Sequence, residues 1–250
     1  MTPPDSTPPQ RDDARDQARL RLVAAALDGA GVRWWVDHGT LLGLVREGRP
    51  LPWDDDLDVS LEHDDLPRAV AAIVAVKADL AARLVVTRRG VKVHPHEPGG
   101  RVLDVAPYRD VGDDMLEKTF VRVAQGRDTA RRGVRVLGRA VLRHLDAALA
   151  GLDRWVWSRH AWSPVPARVL IALAGWPAAV RERIGRHEPS RVPSDLLRPG
   201  GSVAWDALQL PAPLAVEAYL AFRYGDDWRT PRRAWTWWDD DKTVPRTTRA

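Results

Sequence analysis

The period of the apolar positions changes several times along the chain. Leu20, Val23, Leu27 and Ala30 fall three or four apart within residues 14–30, which predicts an amphipathic helix stopped near Gly29 and Gly31. Residues 33–36 read as a short buried strand, and Gly39-Thr40-Leu41-Leu42-Gly43 onward as a turn feeding a short helix. From Asp56 to Leu61 polar and apolar residues alternate with period two. This predicts a strand with carboxylates on one face and aliphatics on the other. Asp64 or Asp65 is placed to cap a helix running to about Leu84, with Pro67 in its first turn.

Further on, Leu84–Arg88 and Val91–His94 predict two strands joined at Arg89-Gly90, and Arg101–Tyr108 predicts another. Residues 115–187 are mostly helical by periodicity, with breaks at Ser163–Pro166 and Gly175–Pro177. A Pro/Gly-rich loop (Pro189–Gly201), a strand (Val203–Leu210), a helix (Leu214–Arg223) and a Trp-rich piece follow. Strands and helices mix without a regular βαβ alternation, so the fold class is α+β with a helical insertion. The expected organisation is a core over 14–114, an insertion over 115–200 and a return to the core over 201–238. Tails fill 1–13 and 239–250.

Composition changes this picture in two places. The 250 residues contain no cysteine, which excludes a disulfide scaffold, a thiolate metal site and a cysteine nucleophile. Charge is unevenly spread: residues 121–200 hold fifteen arginines, no lysine and six acids, a net +9, which leaves −5 for the rest of a chain whose total is +4. No run of 18 apolar residues predicts a spanning helix, and the Pro-rich start, MTPPDSTPPQRDD, reads as a disordered tail without the apolar stretch of a secretory signal.

The acidic part carries the candidate chemistry. On a strand, Asp56 and Asp58 project from one face a few ångströms apart, and like charges that close call for a cation. Mg²⁺ takes hard oxygen ligands from one or two carboxylates and shares its remaining positions with phosphate and water, with Mn²⁺ as the substitute. Asp104, an acid inside the apolar stretch Val102–Ala106, is the candidate third ligand. Before this cluster, Gly39 and Thr40 stand where a strand turns into a helix, a place where backbone N–H groups meet a phosphate. Arg46 and Lys92 can add positive charge around a diphosphate. Asp54 and Asp55 are expected to flank the metal ligands, and Trp53 to pack. His94 and His96 read as loop residues with a metal role as the alternative. A solvated acidic turn and a short sugar-nucleotide glycosyltransferase Asp-x-Asp are the competing readings of the cluster. An EF-hand is excluded, because Val59 stands where that loop needs glycine.

Residues 35–46 (WVDHGTLLGLVR) and 52–59 (PWDDDLDV) together resemble the signature of the LicD family, which holds bacterial phosphocholine transferases and fukutin-type enzymes. Residues 103–108 (LDVAPY) and 219–231 (YLAFRYGDDWRTP) agree with it. The resemblance covers roughly 33–108 and 203–231. It implies a nucleotidyltransferase-like mixed sheet flanked by helices, with the basic helical insertion added. It also implies transfer of a phospho-alcohol from a CDP-activated donor to a hydroxyl of a glycan, glycolipid or wall polymer. By position, Gly39 and Thr40 match the glycine turn, Asp56 and Asp58 the paired metal ligands, and Asp104 the third carboxylate. A cysteine-containing zinc loop of the fukutin kind has no counterpart here. Alternatives to this function are a nucleotidyltransferase moving the nucleotide itself, a sugar-nucleotide glycosyltransferase, and an inactive membrane- or glycan-binding module.

Residues 134–186 mix arginines with aliphatics and four tryptophans, Trp155, Trp157, Trp162 and Trp176. Three readings stand open: a helical subdomain packed on itself, a helix lying in a membrane interface, and a face for an anionic polymer. No nucleic-acid motif is present. A lipid-linked or wall-polymer acceptor suits the basic, Trp-bearing surface. The expected location is therefore cytoplasmic, at the inner face of the membrane.

Overall fold

The computed structural model describes residues 11–87, 89–122, 186–232, 240, 241 and 243, together with Ala148. The basic stretch 134–186 lies outside them save for Ala148 and the backbone of Arg186.

The first helix, α1 (Asp13–Gly29), is capped by Asp12, whose carboxylate accepts from Arg15 N at 3.1 Å. Leu20, Val23, Ala24 and Leu27 form its buried face. The chain turns through Gly31, at φ 64°, into β1 (Trp34–Val36). Helix α2 (His38–Glu47), capped by Asp37 and closed by a left-handed Gly48, leads to β2 (Asp56–Glu62). A 3₁₀ turn (His63–Asp65) opens α3 (Leu66–Ala75), with Pro67 in its first turn as expected.

Helix α3 stops at Ala75, short of the expected Leu84. A series of turns then reaches β3 (Ala82–Thr87), where Leu84 is a strand residue. The carboxylate of Asp65 makes no cap contact with α3. It accepts instead from Arg33 N at 3.0 Å and pairs with Arg68. The strands β4 (Gly90–Pro95) and β5 (Val102–Asp110) follow.

The described ends of 115–200 are not helical. Met115–Arg122 is a strand, β6, and Arg186–Pro193 is its antiparallel partner, β7. The alternation in β6 is obscured because Lys118 is buried. Its ammonium bonds Ser60 Oγ at 3.2 Å and faces the rings of Tyr108 and Phe120 at 5.7 and 5.9 Å. A second 3₁₀ turn (Ser194–Leu197) follows β7. The single strand expected over Val203–Leu210 is a hairpin, β8 (Pro199–Trp205) and β9 (Leu208–Pro213), whose turn puts Asp206 at φ 50°. Helix α4 (Val216–Tyr224) closes on Gly225, at φ 98° and ψ 169°.

The main sheet runs β1-β2-β5-β4-β3, with β6 joined to β5 and β7 to β6. Only β2–β5 is parallel; β1–β2, β4–β5 and β3–β4 are antiparallel. One face is apolar: Leu57, Val59, Val91, Val93, Leu103 and Val105 are all buried in the core. Such side chains each contribute about 1.5–3 kcal/mol on burial. Arg101 locks α1 to the start of β5: its side chain pairs with Asp13 and Asp16 at 2.6 and 3.0 Å, and its N–H also donates to Asp16.

Candidate metal and phosphate site

The site is built where β2 and β5 run side by side. Their register sets Asp58 opposite Asp104, and Asp56 lies two residues earlier on the same face of β2. Carboxylate oxygens of Asp56, Asp58 and Asp104 all lie within 4.8 Å of one another. Three separated acids thus converge on one point of the sheet. On the far side of β5, Lys92 of β4 faces Asp104 and pairs with it.

The electrostatics follow from this crowding. Burial, then the charges of Asp58, Asp54 and Asp104, push Asp56 up to about 10. Burial and Asp58 likewise push Asp54 up to about 6. Burial also opposes ionisation of Asp58, but His38 and Lys118 outweigh it and hold that carboxyl below the usual range. Burial lowers Lys92, yet Asp104, Asp56 and Asp58 raise it more, so the ammonium stays charged.

Gly39 and Thr40 occupy the first turn of α2. Asp37 N donates to Asp58 O at 3.1 Å, and His38 N donates to Asp37 Oδ1 at 2.8 Å. The N–H groups of Gly39 and Thr40 have no acceptor within the helix. Thr40 Oγ1 accepts the N–H of Asp58 at 2.7 Å, which fastens the glycine turn to the strand bearing the acids. A Cβ on Gly39 would stand 2.3 Å from Asp54 Oδ2, so Asp54 approaches this turn more closely than any side chain there would permit.

Arg46 lies in the last turn of α2, about 10 Å along the axis from Gly39. Its guanidinium pairs with Glu47 at 2.7 Å and sits 6.0 Å from the ring of Trp53. Asp54 and Asp55 form with Asp56 a second group whose oxygens lie within 4.8 Å. Neither His94 nor His96 belongs to a metal-capable group among the described residues.

Sequence reasoning missed a buried polar cluster behind the acids. Asp37 is fully buried and accepts from Ser60 Oγ at 2.6 Å, from its neighbour's N–H and from Tyr219 of α4. Burial works against its charge, but His38, Lys118 and Arg223 outweigh it and hold the carboxyl well below the usual range. Arg223, one turn after Tyr219, pairs with Asp241, and both are buried. His38 touches Asp37, Asp58 and Tyr108. The Asp-His pair immediately before Gly39, and the i,i+4 spacing of Tyr219 and Arg223, were the signals available.

Comparison with known proteins agrees with the sequence resemblance. The family model described as LicD/FKTN/FKRP, nucleotidyltransferase domain, matches residues 31–135. A stretch of 46 residues is 44% identical to ribitol 5-phosphate transferase FKRP of both Mus musculus and Homo sapiens. It covers 18% of this chain and 9% of each relative. Uncharacterized protein RP689 of Rickettsia prowazekii is 47% identical over 34 residues, 14% of this chain and 13% of that protein. The chain therefore aligns with only a small part of these relatives. Two solved structures of ANT(2″)-Ia were found. The crystal structure with adenylyl-2″-tobramycin has 17% identity, a TM-score of 0.31 and coverage of 68% of this chain and 98% of that one. The solution structure has 17% identity, a TM-score of 0.33 and coverage of 69% and 90%. Overlap this low says nothing about chemistry. Among the described residues, no helix is long and apolar enough to cross a membrane.

Proposed function

We propose that this chain, with its LicD-type match over residues 31–135, transfers a phospho-alcohol from a CDP-activated donor to a hydroxyl of a glycan, glycolipid or wall polymer. The single observation that carries this reading is the convergence of Asp56, Asp58 and Asp104 beside the glycine turn at the start of α2.

The donor set suits Mg²⁺ or Mn²⁺. It is all hard carboxylate oxygen, and burial together with the charges of Asp58, Asp54 and Asp104 pushes Asp56 up to about 10, which a bound cation would relieve. Asp56, Asp58 and Asp104 would hold the ion, which supplies charge neutralisation at a diphosphate and acidifies a nearby hydroxyl. The protein's own groups set the geometry. The Gly39 and Thr40 N–H groups would offer a helix N-terminus to the donor's phosphates, and Lys92 would add a point charge beside Asp104. In an alternative arrangement Asp104 would take the acceptor's proton directly instead of serving the ion. Arginine and tryptophan over 134–186 suit an acceptor held at an anionic membrane face.

The test is mass spectrometry of products after incubation with CDP-alcohols, extracted glycolipids and Mg²⁺. A phospho-alcohol on the acceptor with CMP released is the expected result. Nucleotide on the acceptor would make the protein a nucleotidyltransferase, and sugar would make it a glycosyltransferase. Asp56→Asn and Asp58→Asn should each lower turnover by at least about 100-fold, as befits loss of a direct ligand rather than of its support.

A further inference from the structure

We infer that His38 is a positioning residue, one that holds the Asp58 carboxylate in place for a divalent cation from behind the strand. The inference rests on the metal-dependent reading above and deepens it.

Four observations carry it. The imidazole has only 8% of its side chain exposed, and each ring nitrogen faces a carboxylate. Nδ1 lies 3.5 Å from Asp58 Oδ1 and Nε2 lies 3.1 Å from Asp37 Oδ2. Nε2 also lies 3.3 Å from the hydroxyl of Tyr108, and the ring is flanked by Phe120 at a centroid distance of 5.5 Å. The ring is therefore fixed on both edges and one side. Next, His38 has φ 46°, a left-handed backbone that branched or bulky residues rarely adopt, at the start of a helix where an ordinary residue would serve.

The third observation concerns which partner needs the ring. Asp37 accepts from the His38 N–H, Ser60 Oγ and Tyr219, so its carboxylate is held by three hydrogen bonds besides its contact with the imidazole. Asp58 is different. Its backbone is clamped by α2 at both ends, through Thr40 Oγ1 and Asp37 N, but its carboxylate meets only other acids on the open side. From the closed side the imidazole makes direct contact with it, 3.5 Å from Oδ1, with the Lys118 charge acting from further off. Finally, the contact of 3.5 Å is long for a hydrogen bond, so the ring limits rotation of the carboxylate without consuming it as a ligand. Support of a metal ligand from behind in this way commonly tunes affinity by about 10- to 100-fold.

Asparagine and glutamine separate the two ring positions. An Asn amide reaches about as far as Nδ1 and tolerates a left-handed backbone, whereas Gln reaches about as far as Nε2. The experiment is Mn²⁺ titration followed by electron paramagnetic resonance. The full-length wild type, His38→Ala, His38→Asn, His38→Gln and Asp58→Asn are compared, with near-ultraviolet circular dichroism as the check on folding. Wild type should bind and Asp58→Asn should lose binding. His38→Ala and His38→Gln should weaken it about 10- to 100-fold, and His38→Asn should restore it to within a few-fold. If His38→Ala does not fold, the Asn and Gln variants decide. Wild-type affinity in Ala or Gln, or equal weakening in Asn and Gln, would overturn the role given to His38 while leaving the metal site standing. Absence of Mn²⁺ binding by wild type, or its persistence in Asp58→Asn, would overturn the metal reading and this inference with it.

Discussion

Asp58 and Asp104 stand opposite one another on the one parallel strand pair of the sheet, and Lys92 stands opposite Asp104 on its other side. A cation and two anions thus lie in a row across three strands. Under the proposed function, Lys92 would compete with the metal for Asp104 and would favour a bound diphosphate. The two effects have opposite signs and can be measured apart.

Lys92→Met should bind Mn²⁺ about tenfold more tightly in the absence of donor, because one nearby unit charge at an effective dielectric near 20 is worth more than about 1 kcal/mol. The same variant should show a raised KM for the donor. Titration followed by spin resonance and steady-state kinetics check the pair. Weaker metal binding would mean that the lysine organises Asp104 instead of competing for it.

Gly39→Ala should change the melting temperature little, since the helix-interior preference of alanine, about 1 kcal/mol over glycine, is offset by the displacement the new methyl forces on Asp54. Activity should nonetheless fall, because the new methyl would stand 2.3 Å from Asp54 Oδ2. The double variant Gly39→Ala, Asp54→Ala distinguishes two causes. Recovery would assign the defect to the displaced carboxylate, and continued loss would assign it to blocked approach of the phosphates.

Without metal, acid and alkaline pH act on stability through different carboxylates. Asp54 and Asp56 are raised on folding, so the native state holds protons that the unfolded chain gives up near 4. Stability should therefore fall as pH climbs from about 4 through 6 and on towards 10. Asp37 is depressed, so its contribution is present above the ordinary carboxylate range and is lost on acidification below it. Thermal melts in EDTA should peak on the acid side of neutrality, and Mg²⁺ should flatten the alkaline limb. Identical profiles with and without the ion would remove the metal from the account.

Arg223 and Asp241 are both buried and paired. Asp241→Asn should cost about 3–5 kcal/mol in denaturant unfolding, as expected when one partner of a buried pair is removed. The double variant Arg223→Met, Asp241→Leu should cost less than Asp241→Asn alone, because no uncompensated charge is left behind. Equal losses would place the cost in packing.

The parts of the site legible in the sequence are those carried by strand periodicity. Asp56, Leu57, Asp58 and Val59 alternate, so the shared face of Asp56 and Asp58 followed from period two, whereas the place of Asp104 beside them is set by the β2–β5 register. Helix and strand limits failed where burial ran against residue type. Lys118 points inward to Ser60 and two rings, which gives β6 no apolar alternation to read. Similarly, Ala82 and Leu84 continue the apolar spacing of α3 although the chain has already turned into β3. The polar cluster was hidden for a different reason. Tyr219 reaches Asp37 across 182 residues, a contact that no local pattern announces.

Strands β6 and β7 pair through to Arg122 and Arg186, which stand opposite one another on a single rung of the ladder. The ring of Phe120, two residues before Arg122, rests against His38. A change of length between those two arginines would therefore alter no strand that bears an acid, because both ends of the intervening sequence are fixed at one rung of the sheet.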